Sequence, residues 1–155
     1  MVKPIPDGYG TVTPTLTVRE AAKAIEFYKK AFDAHEIFRF PSPDGKTIMH
    51  AEIKIGDSIV MLNDEFPQMN CISPQTIGGT GSMIHLYVED ADSVFNKAVS
   101  SGAKILMPMM DMFWGDRYGT IEDPFGHRWG IATHKIDVSP EAIKMAQDAF
   151  ENTHQ

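Results

Sequence analysis

The sequence predicts an α+β domain in which two βαβββ modules form a curved mixed sheet around a cavity, followed by a short C-terminal helix. Segments with a period of 2 and a segment with a period of 3.6 follow each other in the same order twice. Leu16 and Leu86 lie 70 residues apart at the same point of the strand-to-helix passage, as do Val18 and Val88. At 155 residues, the chain is long enough for one core and too short for two independent domains, so residues 1–155 form a single domain.

The first module is expected over residues 9–63. Residues 10–18 alternate apolar side chains with threonines, which predicts a strand, and Pro14 indicates that this strand lies partly at an edge. Residues 19–32 place apolar side chains on one face, which predicts an amphipathic helix. Three strands joined by hairpin turns are expected next, at residues 35–40, 47–55 and 58–63.

Residues 64–81 contain two prolines and three glycines without a sustained period, so a linker is expected there. The second module, residues 82–134, repeats the pattern of the first. A strand is predicted over residues 83–88, and Asp90 and Gly102 are typical of the start and the end of the helix that follows. Three further strands are expected, at residues 104–110, 117–122 and 128–134.

The most distinctive stretch, residues 113–134, is predicted to form a hairpin. Residues 123–126, Asp-Pro-Phe-Gly, suit the four positions of a type I turn. Downstream, Trp129 is expected to enter the core. Upstream, Trp114 and Arg117 belong to a dense group of aromatic and charged residues, which indicates either an aromatic corner closed by an ion pair or a ligand-binding wall.

Residues 139–152 are predicted to form a short C-terminal helix, which docks either through Ala142, Ala146 and Ala149 or through Ile143 and Phe150. The formal net charge of −7 argues against nucleic acid or an anionic membrane as a partner. No apolar stretch approaches the about 20 residues of a membrane helix, and no signal peptide is recognised, so a cytoplasmic location is expected. Cys71 is the only cysteine, so no intrachain disulfide forms.

The segment IEFYKKAF in the first helix, the run DPFGHRWGIAT in the last hairpin and the two modules resemble the vicinal-oxygen-chelate superfamily. That superfamily includes glyoxalase I, bleomycin-resistance proteins and extradiol dioxygenases. The run FWGDRYG…DPFGHRW, with a His-Ala-Glu strand and an MLND segment, is similar to its PhnB-like branch. The resemblance covers nearly the whole chain and implies the fold, but lyases, transferases, dioxygenases and non-catalytic drug binders share that fold.

Metal-dependent members of the superfamily carry one ligand on the first strand and one on the last strand of each module. Aligning the strand ends puts Thr13 and Met83 at the first-strand positions, and Met61 and Gly130 at the last-strand positions. None of these residues supplies the imidazole or carboxylate that a divalent ion prefers. The resemblance therefore implies a member without a metal at the usual site, and no cofactor is expected.

A non-standard site is the alternative. His50 and Glu52 share one face of a strand, and His85 is expected to face the cavity, so the three could form the facial triad of non-haem iron. A metal-dependent lyase or dioxygenase would then be the function. Without a metal, Glu52 or His85 remains a candidate acid or base.

The ligand-binding wall is expected to combine aromatic rings with flexible thioethers. Arg117 would offer a cationic fork to a carboxylate or phosphate of the ligand. The expected ligand-binding residues are Thr15, His50, Met61, Met83, His85, Met109, Trp114, Arg117 and Tyr118.

The resulting expectation is a cytoplasmic protein that binds a small molecule and either sequesters or modifies it. Whether it is an enzyme stays open at this point. Uncovered edge strands invite association, and the superfamily pairs its modules within or between chains, so a homodimer is expected.

Overall fold

The computed structural model describes residues 1–153 and confirms the α+β class. The first module contains one helix between the first two of its four strands. Its elements are β1 (Thr15–Val18), α1 (Ala21–Phe32), β2 (His35–Pro41), β3 (Ile48–Ile55) and β4 (Ser58–Asp64). The second module repeats this order with β5 (Met83–Tyr87), α3 (Ala91–Ser100), β6 (Lys104–Asp111), β7 (Asp116–Glu122) and β8 (Arg128–His134).

Each module forms its own four-stranded mixed sheet. The strand orders are β1-β4-β3-β2 and β5-β8-β7-β6. The first and last strands of each module pair in parallel, and the other neighbours pair antiparallel. The repeat expected from the 70-residue spacing is therefore present as identical topology.

The start of each helix is held by the last strand of its own module. The backbone N–H of Ala21 donates to Asp64 Oδ1 at 2.8 Å, and that of Ala91 donates to Thr133 Oγ1 at 2.8 Å. Asp64 and Thr133 thus perform the same task with different chemistry. Asp90 also acts as the predicted N-cap, since its side chain accepts from the N–H of Ser93 at 3.0 Å.

Helices α1 and α3 pack on each other and join the modules. Trp129 is fully buried, as predicted, and its ring centroid lies 4.7 Å from that of Phe32 and 5.4 Å from that of Tyr28. The buried carboxylate of Asp123 accepts from the Tyr28 hydroxyl at 2.6 Å and from Trp129 Nε1 at 2.9 Å. The predicted turn closes beside it, where the Gly126 N–H donates to the Asp123 carbonyl. One turn therefore ties the last hairpin to the first helix.

Two segments differ from the expectation. The strand predicted over residues 10–18 begins only at Thr15, because the preceding proline has no N–H to donate to a ladder. The linker contains two short helices, at Pro67–Met69 and at Pro74–Ile77 (α2), and each starts on a proline whose fixed φ suits a first turn.

The C-terminal helix α4 (Pro140–Thr153) forms where it was predicted, but none of its described residues is buried. Ile143 and Ala146 are half-buried, whereas Ala142 and Ala149 are exposed, so docking of this helix through its alanines stays a prediction. No helix within residues 1–153 is long and apolar enough to cross a membrane.

Candidate functional site

Each sheet packs one face on the helices and turns the other face away from them. Strand register shows which residues share each outer face, because alternate side chains point to opposite sides. On the first sheet, neighbouring strands place Thr15, Met61, Glu52 and Phe38 side by side on the outer surface. We call this surface the first face, and it also includes His50. The second face is its counterpart on the other sheet and comprises Met83, His85, Tyr87, Tyr118, Gly130 and the adjoining Trp114.

The first face contains a buried carboxylate. Glu52 is 5% exposed, and it accepts a hydrogen bond from the Tyr9 hydroxyl. His50 Nε2 lies 3.0 Å from the other carboxylate oxygen. The hydrogen bond to Glu52 raises the pKa of Tyr9, since it favours the phenol over the phenolate. Beside this group, Thr15 Oγ1 lies 3.8 Å from Met61 Sδ.

Residues 4–13 cross the first face, and we call them the strap. A cavity of about 450 Å³ lies between the strap and the sheet, where Glu52 and Met61 contribute to its wall. Tyr9 was not among the predicted site residues. It stands in an N-terminal segment rich in proline and glycine that has no period, so no signal in the sequence pointed to it.

The second face is a group of aromatic rings built over a glycine. The His85 and Tyr118 rings stack with their centroids 5.4 Å apart, and the ring centroid of Tyr87 lies 4.6 Å from that of His85. A Cβ on Gly130 would lie 2.9 Å from both His85 Nδ1 and Tyr118 Cε2. Only glycine at this position therefore leaves room for the pair. Tyr87 is 66% exposed and Met83 47% exposed, so this surface is open to solvent.

A buried aspartate fixes the rim of the second face. The Asp116 carboxylate accepts from Tyr87 Oη at 3.0 Å and Trp114 Nε1 at 3.1 Å, and His134 Nδ1 lies 2.7 Å away. Burial raises the pKa of Asp116, but the hydrogen bonds outweigh burial and the net shift is downward. His134 also contacts Asp137, and hydrogen bonds to Asp137 and Asp116 raise the pKa of its imidazole. Asp116 therefore orients two aromatic rings.

A large groove adjoins the second face along the free edge of β5. Its volume is about 1110 Å³, and His85, Tyr87 and His134 lie along it. Ligand sites in proteins commonly measure about 300–1,000 Å³. The aromatic surface therefore borders a space that accommodates a small organic molecule.

Two predicted ligand-binding residues do not reach the second face. Arg117 donates through Nε and Nη2 to Asp92 of α3, at 3.0 and 2.9 Å. It stands between Asp116 and Tyr118 on β7, so it points to the helix side. Met109 packs against the core, with its sulfur 2.7 Å from where a Cβ of Gly119 would lie. The structure therefore places Arg117 and Met109 on the helix side of the second sheet, apart from Trp114 and Tyr118.

Register shows which first-strand residue lies opposite each of the last-strand positions. Thr15 lies opposite Met61, and His85 opposite Gly130. Of the two first-strand positions in the alignment, Thr13 precedes β1 and Met83 lies opposite Arg128. A hydroxyl, a thioether, one imidazole and a glycine do not form a ligand set for a divalent ion.

The alternative facial triad is not assembled within one chain. His50 and Glu52 lie on the first sheet, whereas His85 lies on the second. Across residues 1–153, no three His, Cys, Asp or Glu side chains are grouped closely enough to hold a metal ion. The predicted residues thus separate into Thr15, His50, Glu52 and Met61 on the first face and Met83, His85, Trp114 and Tyr118 on the second.

Comparison with known proteins identifies this architecture. Residues 10–131 match the family model of the Glyoxalase/Bleomycin resistance protein/Dioxygenase superfamily. The uncharacterized protein Mb0911c of Mycobacterium bovis is 45% identical over 141 residues, covering 89% of this chain and 92% of its own. Among solved structures, TioX from Micromonospora sp. ML1 aligns with a TM-score of 0.63 and 26% identity, covering 81% of this chain and 98% of its own.

A PhnB protein from Bacillus cereus, named as a putative 3-demethylubiquinone-9 3-methyltransferase, aligns with a TM-score of 0.58. Its identity is 20%, over 80% of this chain and 99% of its own, so this likeness shows the fold alone. The resemblance to the superfamily is confirmed by the family model, and the PhnB protein shares the fold of this chain.

Proposed function

The chain belongs to the glyoxalase/bleomycin resistance protein/dioxygenase superfamily, and from this premise we propose that it binds a small planar, mainly apolar organic molecule on the second face, without a metal. Because this fold carries several chemistries, the proposal depends on the side chains of the site. The observation that carries it is Gly130, which leaves room for the His85–Tyr118 stack and so creates an aromatic surface.

The chemistry of the second face favours sequestration over catalysis. Aromatic rings and the Met83 thioether offer apolar contact and stacking. The carboxylate of Asp116 already accepts from its own neighbours, so it is committed to positioning. Of the two acid or base candidates taken from the sequence, His85 lies on this face and Glu52 belongs to the first face.

The neutral aromatic dye N-phenyl-1-naphthylamine tests this proposal. It should bind saturably and receive excitation energy from Trp114, which adjoins Tyr118, with ring centroids 6.0 Å apart. Trp114→Phe should reduce this energy transfer, and the remainder should come from Trp129, which precedes Gly130 in β8. Energy transfer that persists undiminished in Trp114→Phe would place the dye elsewhere and contradict the proposal.

Absence of a metal at the positions of Thr15, Met61, His85 and Gly130 remains part of the proposal. The donor set supports it, because these side chains include only one of the groups that zinc, nickel, magnesium or iron prefer. Chelator should leave the melting temperature unchanged, since only a ligand of the folded state raises it. Stoichiometric metal in the purified protein, lost on mutation of His50, Glu52 or His85, would contradict it.

We also propose that the protein is a homodimer. The outer strands β2 and β6 leave unpaired edges, which invite association. They also carry exposed apolar side chains, namely Ile37, Phe38, Phe40, Ile105, Leu106 and Met110. A second copy covering these strands would bury surface that a monomer leaves in water. Light scattering should give twice the chain mass, and a monomer mass across micromolar concentrations would contradict the proposal.

A cytoplasmic location is part of the same proposal. It is supported by the single free cysteine, Cys71, because proteins of oxidising compartments commonly use disulfides. Cell fractionation tests it, and recovery outside the cytoplasm would contradict it.

A further inference from the structure

The cavity beneath the strap has a composition that differs from that of the second face. Nine described residues line it, and Glu52 is the only ionisable one apart from Tyr9. Its other walls are apolar or weakly polar and include Ile5, Pro6 and Met61. One buried carboxylate therefore stands at the floor of a space with otherwise little charge.

Glu52 lacks a permanent cationic partner. Its carboxylate contacts the Tyr9 hydroxyl and the His50 imidazole, and among the described residues no Lys or Arg forms an ion pair with it. A buried carboxylate is costly unless it is paired and hydrogen-bonded. The two existing contacts satisfy its hydrogen bonding, but neither supplies the fixed positive charge of an ammonium or a guanidinium.

Tyr9 belongs to the strap, so its contact with Glu52 joins a segment outside the sheet to the floor of the cavity. A donor that replaced the phenol at this carboxylate oxygen would take over an existing hydrogen-bond site. A charged donor forms a stronger hydrogen bond to a carboxylate than a neutral hydroxyl does. The Tyr9 ring would remain beside the new donor, and an aromatic face attracts a cation.

We propose that this cavity is a binding site for a small organic ammonium compound, whose charged group replaces the Tyr9 hydroxyl at Glu52. The apolar part of the ligand contacts Ile5, Pro6 and Met61. The site lies on the first face and does not rest on the aromatic site proposed above. It assigns a binding role to Glu52, and it gives the strap the role of a cover that the ligand displaces in part.

Benzylamine, which is an ammonium ion at neutral pH, tests the proposal against its neutral analogue benzyl alcohol. Binding is followed through the methyl resonance of Met61, with the protein labelled at its methionine methyl groups. Benzylamine should shift this resonance saturably, and benzyl alcohol should bind at least about tenfold more weakly because it lacks the charge. Equal affinity of the two compounds, or no saturable shift with benzylamine, would overturn the proposal.

Two variants test whether the ammonium group of benzylamine binds the Glu52 carboxylate in place of the Tyr9 hydroxyl. Glu52→Gln should weaken benzylamine at least about tenfold, whereas the surface control Glu26→Gln on α1 should leave it unchanged. Unchanged affinity in a folded Glu52→Gln protein would overturn the proposal. Tyr9→Phe keeps the carboxylate and removes the competing hydroxyl, so benzylamine should bind more tightly. Weaker binding to Tyr9→Phe would show that the phenol is not displaced, which would also overturn the proposal even if Glu52→Gln failed to fold.

Discussion

The two outer faces occupy equivalent places in two copies of the same module, yet the strap covers part of the first face and the second face is open to solvent. On the first face, Met61 lies opposite Thr15, and the strap covers the neighbouring carboxylate of Glu52. On the second face, Gly130 lies opposite His85, and aromatic rings stand over the glycine. The hydrogen atom of Gly130 in place of a side chain therefore leaves room for the rings of His85 and Tyr118 on the second sheet.

This difference indicates that the two modules share their backbone topology, whereas the side chains on their outer faces differ. The helix starts are held by Asp64 in one module and by Thr133 in the other, with the same 2.8 Å contact to the backbone. Such substitutions preserve the fold because they satisfy the same donor. The outer faces contribute less to the core, so their residues can diverge towards different ligands.

The largest effect is expected from the turn that ties the last hairpin to helix α1. Asp123→Ala removes the acceptor used by the Tyr28 hydroxyl and by Trp129 Nε1, and it leaves both buried donors unsatisfied. The free energy of unfolding should fall by roughly 3–5 kcal/mol. Chemical denaturation measures this loss, with Asp148→Ala on the exposed helix α4 as the control. A loss of stability similar to that of the control would show that the turn does not tie the last hairpin to helix α1.

Gly130→Ala should disrupt the ring arrangement of the second face and leave the first face unchanged. The added Cβ would meet the rings of His85 and Tyr118, which must move at a cost of roughly 1–3 kcal/mol. Binding of N-phenyl-1-naphthylamine should weaken, whereas binding of benzylamine should persist. Gly81→Ala is the matched control, because a Cβ there has no neighbour within 4 Å. Dye binding that survives Gly130→Ala unchanged would contradict the proposed aromatic site.

Tyr9→Phe should open the first face alone. Loss of the hydrogen bond to Glu52 releases the strap, so Met61 becomes more accessible to hydrogen peroxide, which converts methionine to its sulfoxide. Peptide mass spectrometry should find faster oxidation of Met61 in the variant and an unchanged rate at Met83. Equal rates at Met61 in the two proteins would mean that the hydroxyl does not hold the strap.

The pH dependence of stability should have opposite signs for Glu65, at the start of the linker, and for His134, at the end of β8. Hydrogen bonds from Ser73 and Thr76, together with Arg19, hold the pKa of Glu65 at about 2, so its stabilisation is present above pH 4.5 and is lost as the pH falls towards 2. The pKa of His134 is raised above 6.5, so its stabilisation is present below that pH and is lost as the pH rises. Melting temperatures of Glu65→Gln and His134→Gln should show weaker acid and alkaline losses, respectively. Melting temperatures that vary with pH as they do in the unsubstituted protein would contradict the stabilising roles assigned to Glu65 and His134.

The sequence predicted the scaffold better than the site. Periodicity and the 70-residue repeat predicted every strand and the main helices, because burial of one face imposes those periods. Consecutive residues of a strand point to opposite sides. The helix-side position of Arg117 could therefore have been predicted as soon as Tyr118 was placed on the outer face. The contact of Tyr9 with Glu52 could not, because it depends on the path of a non-periodic segment across a sheet.

The separation of the two sites is tested most directly by one titration series followed through the methionine methyl resonances. N-phenyl-1-naphthylamine should shift the resonance of Met83 and leave Met61 unchanged, and benzylamine should do the reverse. A single compound that shifts Met61 and Met83 together, with one saturation curve, would show that the two faces form one site and would contradict the division drawn between them.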